Sequence, residues 1–297
     1  MIEGFAQQVL AWGLPQLRDL PWRTTRDPWA ILVSEVMAQQ TQVERVIPAW
    51  HAFLAAYPMP LACARAPLAD VLRLWQGLGY PRRARNLHRA AGQIGSGPVP
   101  DSLDELLDLP GIGPYTARAV LAFAFERDVA VVDTNIARVY ARIGGERLSA
   151  RQAQATADRY LPAGRSWEWN QCLMDLGARL CRARSPRCVE CPVADRCTWN
   201  LDGGDDPAHG SAGVSGRQSR FEGSDRQARG RLLAAAADGP VADTALVEVM
   251  GRDHAIAQRL VADLVAEGLV EFHDGAYRLS IRMIEFSLGV SVRSRAG

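Results

Sequence analysis

The chain has 297 residues, 48% of them hydrophobic and 23% charged, with a formal net charge of +1. That length holds one large domain or two to three small ones, and the near-neutral charge excludes a strongly basic body, so any nucleic-acid contact has to come from a local arrangement of arginines. No apolar run approaches the roughly eighteen residues of a membrane span, and the first thirty residues lack a signal-peptide pattern, so the expectation is a cytoplasmic protein with no membrane contact.

Apolar residues recurring at three and four predict helices over 29–57, 67–77, 82–94, 102–108, 115–126, 134–143, 150–161 and 167–182. Ser102 and Ser149 stand where N-caps belong. Residues 1–200 therefore read as an α-helical body. Residues 201–224 are rich in Gly, Ser and Asp with little to bury, the composition of a flexible linker. Helices are expected again over 225–237, 242–250 and 254–267. Residues 268–279 then alternate around Asp274-Gly275, a hairpin signature. Three short helices and a hairpin make 225–280 a winged-helix-like module, and 281–297 receives no assignment.

Four of the six cysteines fall within seventeen residues, at Cys181, Cys188, Cys191 and Cys197. In a cytoplasmic chain this is no disulfide framework. Zinc remains an alternative, but its sites favour paired C-x-x-C knuckles or histidine partners, and one C-x-x-C with no intervening histidine is present. Four thiolates suit an iron–sulfur cubane. Cys63 and Cys172 read as small core hydrophobes. Around the four lie Arg179, Arg182, Arg184, Arg187 and Arg196, a local positive patch able to meet phosphates.

Leu109-Pro110-Gly111-Ile112-Gly113-Pro114-Tyr115-Thr116 reads as a helix-hairpin-helix turn, with Gly111 and Gly113 leaving backbone N–H groups free to meet a DNA phosphate. Val132-Asp133-Thr134-Asn135 follows about twenty residues later, where Asp133 can cap a helix and still act as a reactive carboxylate. This pairing resembles the helix-hairpin-helix superfamily of base-excision DNA glycosylases, and the cysteine spacing matches the [4Fe-4S] loop at the end of that core. The resemblance implies a two-lobed, all-α glycosylase core carrying the cluster on Cys181, Cys188, Cys191 and Cys197. In that superfamily a lysine just before the hairpin threonine makes a Schiff-base lyase. Here Tyr115 holds that position, and all 34 basic Lys and Arg residues are arginine.

Ser34-Glu35-Val36-Met37 places Glu35 in an apolar helix, where burial would raise its pKa and keep it protonated. Glycoside cleavage needs an acid for the leaving group and a carboxylate facing the oxocarbenium-like transition state, and Glu35 with Asp133 supplies that pair. Residues 18–45, the run Leu74-Trp75-Gln76-Gly77-Leu78-Gly79-Tyr80, and the run from Trp169 to Ala178 look like the adenine DNA glycosylase family, MutY. The resemblance covers roughly 5–200. It implies a partner that is double-stranded DNA with adenine opposite 8-oxoguanine or guanine, bound by a monomer. By the same resemblance Glu35 protonates adenine N7, and Asp133 stabilises or bonds the sugar C1′ while Tyr115 and Asn135 orient it. Arg18, Leu20, Trp22, Arg23 and Gln171 line the adenine pocket, and Gln40, Thr41, Leu78 and Tyr80 wedge into the duplex.

The sequence departs from the family pattern in three places. Pro81 stands where a second tyrosine is common, Asp133-Thr134 resembles endonuclease III-like enzymes, and residues 220–297 are too short and helical for the Nudix-like domain of better-known members. Two other readings stay open: a monofunctional glycosylase for another base such as hypoxanthine, and a non-catalytic iron–sulfur DNA-binding regulator.

Overall fold

Helices carry most of the regular structure in the computed structural model, which describes residues 2–211 and 220–284. The chain divides into two units, one built from Met1–Gln39, Val99–Asp108 and Ile112–Ser219, the other from Gln40–Pro98, Leu109–Gly111 and Arg220–Gly297.

The first unit contains helices Ile2–Gly13, Pro28–Ala38, Leu103–Leu107, Pro114–Phe123, Thr134–Gly144, Ala150–Tyr160 and Ser166–Arg179. Phe5, Val9, Ile136, Tyr140, Trp169, Leu173 and Leu176 pack into its core. The Phe5 ring meets Tyr160 and Trp169 edge-on at 5.3 and 5.6 Å, an arrangement rings favour. Ser102 and Ser149 cap their helices as expected, and Gln152 completes a capping box with Ser149. Ile2–Gly13 lies where no helix was expected.

The single helix expected over 29–57 is two helices. Pro28–Ala38 starts on an Asp27 cap, whose carboxylate accepts the Trp29 N–H at 3.0 Å. It stops because Gln40 has φ of 55°, which no right-handed helix accommodates, and helix Val43–Ala56 begins after the turn.

The second unit holds helices Val43–Ala56, Pro60–Arg65, Leu68–Leu74 and Arg82–Ile94, together with the C-terminal module. In that module helices Asp225–Asp238, Leu246–Met250 and His254–Ala266 precede a hairpin of β2 (Val270–His273) and β3 (Ala276–Leu279). A short β1 (Val241–Ala242), whose second residue was expected to open a helix, pairs antiparallel with β3 to give the order β1-β3-β2. Asp274 and Gly275, both at positive φ, close the hairpin as the primed turns require. The module is fastened to the helices of its own unit. Arg82 and Arg229 both bind the Glu267 carboxylate, at 2.5 and 2.6 Å, Arg85 reaches the Glu267 carbonyl, and Arg73 donates to the Ala237 carbonyl at 3.1 Å.

Part of the stretch expected as linker is structured. Thr198–Asp202 is helical, Asp206 accepts from Arg142 at 2.6 Å, and Ser211 is buried and accepts the Leu148 N–H. The remaining linker residues 212–219 and the tail from 285 onward lie outside the described residues.

Candidate active site

The catalytic residues expected from sequence meet inside the first unit. Glu35 sits in the last turns of Pro28–Ala38, 7% exposed, among Ile31, Leu32, Val36 and Met37. Tyr115, one residue into helix Pro114–Phe123, donates its phenol O–H to Glu35 Oε2 at 2.8 Å. Burial pushes the Glu35 carboxyl up to about 7; the Tyr115 bond pulls it back, the Asp133 charge pushes further, and Arg23 opposes. At that value the group holds a proton near neutral pH and can also release it.

Asp133 is the N-cap of helix Thr134–Gly144, as its plainer reading anticipates. Its Oδ1 accepts the Ile136 N–H at 2.7 Å and its Oδ2 accepts from Asn135 Nδ2 at 2.9 Å. Burial raises its pKa, against the Ile136 and Asn135 bonds. Asn135 thus orients Asp133 as expected, whereas Tyr115 serves Glu35 instead. Arg138 holds the far side of Asn135, donating to Oδ1 at 2.8 Å and to the Cys181 carbonyl at 2.6 Å. Gly177 lets this helix approach Asn135, since a Cβ there would stand 2.6 Å from the asparagine Cβ.

The expected pocket residues divide. Leu20 and Gln171 are buried and Trp22 is half-buried. Arg18 and Arg23, expected to face adenine, turn their guanidiniums to Asp175, at 2.7 Å for Arg18 Nε and at 3.0 and 2.8 Å for the two Arg23 nitrogens. Asp175 is 1% exposed; burial works to raise its pKa, but the two arginines hold it below the usual carboxylate range. Sequence reading missed this group, whose signal was a carboxylate amid the apolar Leu173-Met174 and Leu176. Gln39 was missed too: its Nε2 donates to Thr116 Oγ1 at 3.2 Å, beside the hairpin.

At the hairpin, Gly111 has φ of +80° and a Cβ would stand 2.8 Å from Asn86 Cβ, so only glycine fits. Gly113 is the N-cap of Pro114–Phe123 with no capping side chain, the arrangement in which first-turn N–H groups meet an anion.

In the second unit the expected wedge segments are joined by Arg83. Its guanidinium donates to Thr41 Oγ1 at 3.0 Å, to the Leu78 carbonyl at 2.9 Å and to the Gly79 carbonyl at 3.0 Å. Thr41 Oγ1 also donates to the Leu78 carbonyl at 3.2 Å. Gln40 and Tyr80 both adopt positive φ, 55° and 48°, uncommon for residues with a side chain. Gln40 is exposed and Tyr80 is 37% exposed, but Leu78 is buried at 5%, so the loop presents Tyr80 rather than Leu78. Trp75 is core.

Cys181, Cys188, Cys191 and Cys197 line one cavity together with Val139, Leu176, Leu180 and Val193. Arg142 closes its rim, donating to Cys181 Sγ at 3.3 Å and to the Arg182 carbonyl at 2.8 Å while paired with Asp206. Among the described residues no three His, Cys, Asp or Glu side chains are gathered as a metal-ion site; the four thiols surround a space instead. Cys63 and Cys172 are fully buried outside this cavity. Of the surrounding arginines, Arg179 and Arg196 bond Gln16 and Gln8, and Arg187 pairs with Glu190.

A family model described as the HhH-GPD superfamily of base excision DNA repair proteins matches residues 33–269. The adenine DNA glycosylase of Mycolicibacterium smegmatis is 42% identical over 284 residues, covering 92% of this chain and 95% of that protein. A thermostable thymine-DNA glycosylase superposes with a TM-score of 0.65 at 30% identity, covering 68% of this chain and 97% of that one. Endonuclease III in a non-covalent DNA complex does so with a TM-score of 0.60 at 25% identity, covering 68% and 97%. With the helical architecture and the paired carboxyls, these likenesses give an all-α glycosylase core, and the chain belongs to the HhH-GPD superfamily of base excision DNA repair proteins and, within it, to the adenine DNA glycosylase family.

Proposed function

We propose that this protein removes adenine from duplex DNA where it stands opposite 8-oxoguanine or guanine, by hydrolysis of the N-glycosidic bond and without cutting the strand. One observation carries the chemistry: Glu35 is buried, shares a hydrogen bond with Tyr115, and titrates at about 7 beside the Asp133 charge. The target base has to leave the stack to reach such an interior site. Glu35 delivers its proton to adenine N7, so the C1′–N9 electron pair departs with a neutral base. Asp133, fixed by the Ile136 N–H and Asn135, faces the positive charge developing on the sugar. Water then adds at C1′ and gives a proton back to the Glu35 carboxylate. A purine-specific acid favours adenine over the thymine of the structural relative.

The reaction stops at the abasic site. Tyr115 occupies the hairpin position where an amine would attack, and the chain has no lysine. Arg18, Leu20, Trp22, Arg23 and Gln171 make the wall around the extruded base, with Asp175 fixing the two arginines. Gln40, Thr41 and Tyr80 fill the gap left in the duplex, and the amides after Gly111 and Gly113 hold a backbone phosphate.

The four-cysteine cavity suits a [4Fe-4S] cluster: its thiols ring a space walled by apolar side chains, and Arg142 offers an N–H to a sulfur that would carry negative charge. When bound, the cluster supplies a folding cross-link for residues 181–197. No described helix is long and apolar enough to cross a membrane.

A glycosylase assay across a matrix of duplexes tests this reading. Adenine opposite 8-oxoguanine is expected to be released with the strand intact until alkali is added, and borohydride is expected to trap no adduct once the N-terminal amine is blocked. 7-Deazaadenine, with carbon in place of N7, is expected to bind and resist cleavage. Release of thymine or hypoxanthine in preference to adenine, or robust trapping, overturns it.

A further inference from the structure

The C-terminal module has no evident way to read DNA as a winged helix. Helix His254–Ala266 stands where such folds place their recognition helix. Yet its Arg259 is engaged by Asp225 at 2.7 Å and lies 3.9 Å from Asp263, and Asp253 begins the helix. The face is charge-balanced, not basic. The module instead reaches the wedge loop through another element. Arg226, in the first turn of Asp225–Asp238, donates from Nη1 to Tyr80 Oη at 3.3 Å. The Arg83 guanidinium lies 5.5 Å from the Tyr80 ring centroid, so two arginines far apart in the sequence both contact this tyrosine, one at its ring and one at its hydroxyl.

This contact is built on a rigid base. Helix Asp225–Asp238 carries Arg229, which meets Glu267 together with Arg82, and Arg82 lies two residues beyond Tyr80. The last turn of the same helix receives Arg73 at the Ala237 carbonyl. The helix bearing Arg226 is therefore tied at three points to the segment bearing Tyr80, and Tyr80 itself is held at φ of 48° between Gly79 and Pro81. An exposed tyrosine in a left-handed conformation requires outside support to keep one orientation.

We propose that the C-terminal module is part of the opposite-purine reader, with Arg226 as a positioning residue that fixes the Tyr80 ring through its hydroxyl. This rests on the reading of Tyr80 as a wedge beside the purine that stays in the duplex. The module then acts by stiffening the reader already present. A fixed ring distinguishes 8-oxoguanine from guanine by shape and stacking, whereas a loose ring accepts both.

The test is a double-mutant cycle on the full-length, iron-loaded protein, with single-turnover rates and dissociation constants measured for adenine opposite 8-oxoguanine and opposite guanine. Arg226→Ala and Tyr80→Phe each break the same bond and are expected to narrow the preference for 8-oxoguanine by about five- to tenfold, the weight of one hydrogen bond. The double variant is expected to be no worse than either single one. Arg226→Lys, which keeps a donor, is expected to recover part of the preference. A merely structural loss would lower the thermal midpoint and both rates together and leave their ratio unchanged. Multiplicative effects in the double variant, or an unchanged ratio in Arg226→Ala while Tyr80→Ala collapses it, overturns the role of Arg226 and leaves the wedge standing. An unchanged ratio in Tyr80→Ala overturns the wedge reading, and this proposal with it.

Discussion

Tyr115 hydrogen-bonds Glu35 at 2.8 Å, so the residue at the position where a lyase would carry its amine instead bonds the proposed proton donor. The bond favours the ionised carboxylate and works against burial, which has already moved Glu35 up to about 7. Removing the donor with Tyr115→Phe raises the Glu35 pKa further. The alkaline limb of the single-turnover rate, where the acid loses its proton, is expected to move upward by roughly one pH unit. A limb that stays in place or moves down means that Glu35 is not the group being titrated.

The raised Glu35 pKa also makes a statement about stability. An ordinary glutamate titrates at 4.5, and here the folded value is about 7. Below the lower value the group is protonated in both states and costs nothing. As the pH rises through the upper value, the folded protein has to bury an ionised carboxylate, and stability falls across that window. Glu35→Gln is therefore expected to gain up to about 3 kcal/mol over the native chain near pH 8 and almost nothing near pH 4.5, while losing ~10²–10⁴-fold in excision. Urea unfolding at the two pH values checks the first part. A gain of equal size at both would remove the linkage argument.

Asp175 pairs with two arginines, Arg23 buried beside it and Arg18 about one-third exposed at 33%. Asp175→Asn leaves Arg23 buried without its countercharge, a change expected to cost about 3–5 kcal/mol. The denaturant midpoint is the measurement. A loss below about 1 kcal/mol would place these charges in water rather than in the core.

Protein prepared without reducing out its metal is expected to be brown, with about four irons per chain. Cys191→Ser is expected to lose the colour and to expose residues 181–197 to proteolysis. Stoichiometric zinc in place of iron, read by elemental analysis, would contradict the cubane.

Local chemistry made much of this legible. The Ser149 cap, the Asp274-Gly275 turn and the cysteine spacing are short-range signals, and the structure puts the cap, the turn and the four neighbouring thiols at those positions. Asp133 was legible as a helix cap because it stands directly before the apolar-periodic run Thr134–Gly144. Gln40 was not: a single left-handed residue leaves the apolar periodicity of 29–57 intact while splitting the helix. The Asp175 clamp was invisible for another reason, as its partners at 18 and 23 lie some 150 positions away in the chain and no periodicity links them. The same distance hid Arg226 from Tyr80.

On the proposed reading, the interior position of Glu35 couples the acid to its own substrate. A DNA duplex brings a dense row of negative charge, and phosphate near a buried carboxyl favours the form that carries no charge. Docking therefore tightens the hold of Glu35 on its proton, and the complex remains competent at a pH where the free protein has begun to discharge. The protein that scans bare solution and the protein seated on DNA are two acids of different strength, and the polyanion itself arms the one that cuts.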